Sequence, residues 1–68
     1  AIKFSDARLK SNISRIGSTP SGVPFYSWDW KDGSGSDTGV LAHEVAHIPV
    51  AVLSDPSGYL KVDYSKIS

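Results

Sequence analysis

Two groups of side chains have the types and order that chemistry needs: Ser5 with Lys10, and His43-Glu44 with His47. A serine hydroxyl becomes a useful nucleophile when a base takes its proton. A lysine is such a base only when neutral, so its pKa of about 10.4 has to fall. Burial lowers it, as does a like charge such as Arg8, whereas the Asp6 carboxylate pushes the other way. Ser5 and Lys10 are five positions apart. On a helix that is about 500°, so the two would not share a face. They meet only if Ser5 lies just before a helix whose first turn holds Arg8, Leu9 and Lys10. A serine in that place is equally an N-cap, its oxygen accepting from an orphan amide. Asp6 reads as an N-cap or as a partner of Arg8.

The second group, His43-Glu44-Val45-Ala46-His47, matches H-E-x-x-H literally. On a helix the two histidines would share a face and hold zinc, with Glu44 as general base. A catalytic zinc takes a third protein ligand, and only Asp55 or Asp63 follows to provide one. The helix would also be short, ending at Pro49. A zinc peptidase on His43, Glu44 and His47 is therefore the minor alternative to two partly exposed histidines on a polar face. No cofactor or metal is expected.

The elements that must position these groups read as follows. Ala1 to Phe4 alternates like the end of an extended segment. Leu9 and Ile13 fit one face of a helical turn or two. Gly17 to Gly22 is a loop by composition. Val23 to Lys31 is the strongest strand, with Tyr26, Trp28 and Trp30 on one face. Lys31 to Thr38 is a glycine-containing turn. Gly39 to Ile48 reads as a short helix, with Leu41, Val45 and Ile48 as its apolar stripe and Pro49 as its stop. Asp55-Pro56-Ser57-Gly58 is a tight turn, and Tyr59 to Tyr64 closes a hairpin. The expected class is α+β, a small antiparallel hairpin-rich sheet with one or two short helices.

A chain of 68 residues makes one domain at most and buries only roughly 60% of its unfolded surface. Without cysteine it has neither disulfide nor thiolate site as a staple. Association with other chains is the remaining source of stability. Seven basic residues balance seven acidic ones without clustering, so a nucleic-acid surface is not expected. No apolar run approaches a membrane span, and no membrane partner is expected. With no methionine, the chain is expected to be a processing product or a segment.

In order, the motifs resemble a known family. Ser5-Asp6-Ala7-Arg8-Leu9-Lys10-Ser11-Asn12-Ile13 resembles the opening of the intramolecular chaperone, auto-processing domain at the C-terminus of phage tailspikes and tail fibres. The same domain occurs in some eukaryotic membrane-tethered transcription factors. Gly22 to Trp30 resembles its aromatic strand, and Gly39 to Val45 its next motif, where glutamine commonly stands at the position of His43. Gly58 to Tyr64 resembles its closing hairpin.

The resemblance implies a homotrimer that helps the upstream fibre or spike segment of the same polypeptide to fold. A serine and a lysine then release the domain. By motif position these are Ser5 and Lys10, with the cut between Phe4 and Ser5. Residues 1–4 would be the end of the upstream fibre segment and 5–68 the chaperone domain. The family's long C-terminal helix has no counterpart, and the spacing to Val50-Ala51-Val52 is about a residue short. The implied setting is a virion tail fibre or spike assembled in the host cytoplasm. A non-cleaving structural or receptor-binding tip module with the same fold is the alternative.

Overall fold

Alternation along Pro24–Trp30 puts Tyr26, Trp28 and Trp30 on one face of a strand, and a neighbouring strand pairs with each of its edges. The computed structural model describes residues 1–67. Its strands are β1 (Ile2–Phe4), β2 (Lys10–Ser18), β3 (Pro24–Trp30), β4 (Ser36–Gly39), β5 (Val52–Ser54) and β6 (Leu60–Asp63). They form two three-stranded sheets, ordered β1-β6-β5 and β2-β3-β4, and every pairing is antiparallel. The strand expected over Val23 to Lys31 and the closing hairpin are both present. The Asp55 turn is closed by Gly58 N–H donating to Asp55 O at 2.8 Å, with Gly58 at a φ of 90° that suits glycine.

The expected helices are not formed. Single 3-10 turns stand at Ala7–Leu9, Ala42–Glu44 and Tyr64–Lys66. Leu9 ends the first of these turns and Ile13 lies on a strand: Lys10–Ser18 pairs with the aromatic β3 through an irregular register near Asn12, which has a φ of 52°. The Leu41, Val45, Ile48 stripe is real as burial, with Leu41 and Val45 inside. It is delivered by a 3-10 turn and further turns instead of an α-helix. So short a helix is marginal on its own, and the buried valine and alanine there pack equally well from turns. The antiparallel sheet stands; the helical part of the α+β expectation does not.

The core is thin. Val23, Val40, Ala42, Val45, Ala51, Val62 and Ile67 cluster together, with Trp28 buried beside them. All but Trp28 are small or medium aliphatics, so little apolar area stabilises the fold. Val50 sits at a φ of 54° with 69% of its surface exposed. A β-branched residue in this region is strained by roughly 1–2 kcal/mol, whereas asparagine tolerates it. Val50→Asn is expected to raise stability by about 1 kcal/mol, seen as a higher Tm in thermal unfolding.

Residues 5–9 carry the chain from the first sheet to the second. Ser5 N–H still donates to Leu60 O at 3.1 Å, and Lys31 N–H donates to Leu9 O at 3.0 Å. Ser5 and Lys10 therefore flank the seam between the sheets.

Candidate functional site

Asp6, and not Ser5, caps the Ala7–Leu9 turn, its side chain accepting from Arg8 N–H. The same carboxylate takes Arg8 Nη2 at 2.8 Å and Leu60 N–H at 3.0 Å. It thus ties the crossover to β6 while it is only 4% exposed. The Arg8 guanidinium holds its carboxyl well below the usual carboxylate range. Asp6 stabilises the fold fully above the unfolded carboxylate pKa of about 3.9, and that contribution is lost as pH falls towards its lower folded value. Asp6→Ala leaves Leu60 N–H unpaired and is expected to cost about 2 kcal/mol at neutral pH, measured by denaturant unfolding. The loss should shrink in acid.

With the crossover held, a single 3-10 turn separates Ser5 from Lys10, which begins β2 opposite Trp30. No α-helix is needed for the pair to meet. Ser5 is 0% and Lys10 3% exposed. Lys10 Nζ donates to Ser5 Oγ at 2.9 Å, to Ser5 O at 3.0 Å and to Val40 O at 3.0 Å. Trp28 closes the far side, its ring centroid 3.5 Å from Nζ. Ser5 Oγ donates in turn to Val40 O. Burial, and then the charge of Lys3, lower the Lys10 pKa to about 8.

This arrangement dictates what a neutral Lys10 would do. The carbonyls of Ser5 and Val40 can only accept, so they keep the two remaining N–H groups. The third tetrahedral direction of Nζ, now a lone pair, faces Ser5 Oγ. A general base must lie about 2.6–3.2 Å from the proton's carrier, and this one does.

The bond before Ser5 is also presented. The bonds from Ser5 N–H to Leu60 O and from Tyr64 N–H to Ala1 O set the alternation along β1. Phe4 opposite Lys61 is thus a non-hydrogen-bonded pair, and the Phe4 carbonyl points away from β6. β1 is the edge of its sheet, so no further strand of that sheet pairs with that carbonyl.

Some contributors carried no signal in the sequence. Val40 acts through its backbone alone. Tyr64 places its hydroxyl 3.3 Å from Ser5 Oγ. Trp28 could be found as an aromatic of the strand, but not as the lid of Lys10.

The H-E-x-x-H residues are arranged differently from the zinc pattern. Only Ala42–Glu44 is a 3-10 turn, and Val45 ends it. The helix that would stack His43 over His47 is not formed. Both histidines are exposed, and Glu44 accepts from Tyr26 Oη at 3.2 Å. Among the described residues no group of three or more His, Cys, Asp or Glu side chains is placed to hold a metal ion.

A family model described as chaperone of endosialidase matches residues 5–53, beginning on Ser5 itself. No curated protein and no solved structure matches the chain.

Proposed function

The chain belongs to the chaperone-of-endosialidase family, and from that premise we propose that it is the C-terminal intramolecular chaperone and trimerisation domain of a phage tail fibre or tailspike. It is released by one self-cleavage at the Phe4–Ser5 bond, with Ser5 as nucleophile and Lys10 as base. The observation that carries the chemistry is the 2.9 Å contact between Lys10 Nζ and Ser5 Oγ, both side chains being buried.

Ser5 supplies both the nucleophile and the nitrogen of the bond that breaks. Oγ attacks the Phe4 carbonyl carbon while its proton passes to Lys10 Nζ. The C–N bond then breaks and the proton goes to the Ser5 nitrogen, leaving Phe4 joined to Ser5 through an ester. Water hydrolyses the ester, giving the Phe4 carboxylate and restoring the hydroxyl. The covalent intermediate divides one difficult step into two easier ones.

The thin core supports assembly with other copies, as do Ile13 and Ile16, left 39% and 57% exposed on β2. A trimer at the end of three fibre chains raises their effective concentration while slow non-local strands pair. Once the domain is cut away, the stalk cannot readily refold, and its stability becomes kinetic. Residues 1–4 then belong to the upstream segment, and the assembled product to a virion tail made in the host cytoplasm.

Expressed with its upstream segment, the protein should yield two masses, and Ser5→Ala or Lys10→Ala should yield one. A single uncut mass from the unaltered protein would overturn the reading. It would leave a non-cleaving tip module, which is favoured by the Ser5 proton resting on Val40 O.

A further inference from the structure

We propose that Tyr64 is a positioning residue for this reaction, its hydroxyl holding Ser5 Oγ in the rotamer that faces Lys10. The inference rests on the self-cleavage reading but concerns a residue beyond the 5–53 family match.

The hydrogen-bond inventory assigns each proton. Val40 N–H donates to Tyr64 Oη at 3.0 Å. The phenol therefore keeps its own proton for Ser5 Oγ, 3.3 Å away. Oγ donates to Val40 O and accepts from Lys10 Nζ. A serine hydroxyl has one proton and two lone pairs, so Tyr64 fills the last place. When Lys10 loses a proton, the Oγ proton swings from Val40 O towards Nζ. Tyr64 keeps the oxygen in place while it does so.

The fold makes room for this contact and braces it. A Cβ at Gly39 would overlap the Tyr64 hydroxyl and lie 3.0 Å from the Trp28 ring. Only glycine admits the phenol there. On its other side Tyr64 N–H donates to Ala1 O at 2.8 Å, and Lys3 Nζ lies 5.0 Å over its ring. Ala1 and Lys3 precede the bond to be cut, whereas Val40 and Ser5 Oγ follow it. Tyr64 thus contacts residues on both sides of the bond to be cut.

The test uses the full chain and Tyr64→Phe, which keeps the ring and removes the hydroxyl. Loss of residues 1–4 is followed by intact mass across pH, together with Tm. The Ser5 Hα–Hβ couplings are measured by NMR well below the Lys10 pKa, where the chain stays uncut. Expected are about tenfold slower cleavage at every pH, an unchanged pH midpoint, a Tm within a few degrees, and Ser5 couplings averaged over rotamers. Wild-type cleavage with a single Ser5 rotamer would overturn the proposal. So would a rate loss accompanied by a shifted midpoint and a large fall in Tm. If the unaltered chain is never cut, the self-cleavage reading fails, and the couplings alone decide: averaging in Tyr64→Phe upholds the positioning role, and one retained rotamer refutes it.

Discussion

Cleavage between Phe4 and Ser5 should accelerate about fiftyfold from about pH 6 to about pH 8, then level off. The reason is the amount of neutral Lys10. With its pKa lowered to about 8, roughly half of the lysine is neutral at that pH and about 1% two units below. An unshifted lysine of pKa about 10.4 would be less than about 1% neutral even at pH 8. Burial against Trp28 therefore supplies about two decades of available base. The rate is measured on the full chain by intact mass at constant ionic strength. A flat profile, or a midpoint near the histidine range of about 6.5, would remove Lys10 from the role of base. Ser5→Ala should abolish cleavage at every pH, since it removes the Oγ that attacks the Phe4 carbonyl.

Replacing Lys10 by methionine should stop cleavage and at the same time stabilise the fold at neutral pH. A buried ammonium is costly, and apolar replacements of similar shape are often neutral or stabilising. Here no acceptor is orphaned by the change. Ser5 O still accepts from Ala42 N–H at 2.9 Å, Val40 O from Ser5 Oγ, and Ser5 Oγ retains Tyr64. The lysine pKa falls from 10.5 to about 8 on folding, which corresponds to about 3 kcal/mol of disfavoured charge below that range. The sign follows from proton counts. Between about pH 8 and 10.5 the unfolded chain binds more protons than the folded one, so stability rises with pH in that window. Lys10→Met should be more stable than the unaltered chain at neutral pH and should lose the alkaline rise. Denaturant unfolding at a series of pH values measures both. Clear destabilisation would mean that the ammonium's three hydrogen bonds outweigh its burial. Under the proposed cleavage, Lys10 is a group kept for chemistry at the expense of stability.

The sequence by itself determined the family, the antiparallel strands with a local signature, and the two residues, Ser5 and Lys10, that the structure brings into contact. The aromatic alternation from Tyr26 to Trp30 and the Asp55-Pro56-Ser57-Gly58 turn are short-range patterns, and short-range patterns survive folding. Ser5 and Lys10 were legible through their motif, although the helix invoked to join them was not needed. Tertiary structure decided how the middle and the start of the chain fold. Leu9/Ile13 and Leu41/Val45/Ile48 satisfy helical spacing, yet Leu9 ends a 3-10 turn, Ile13 lies on β2, and the second set lies in turns. Runs this short carry too little intrinsic preference to resist strand pairing and core packing. The Val40 carbonyl beside Lys10 Nζ and the Tyr64 hydroxyl beside Ser5 Oγ come from contacts across 30 and 59 positions, and the lowered Lys10 pKa from burial. Burial, backbone carbonyls and distant hydroxyls are properties of the closed seam between the two sheets. No local spacing encodes them, because they exist only once both sheets have met.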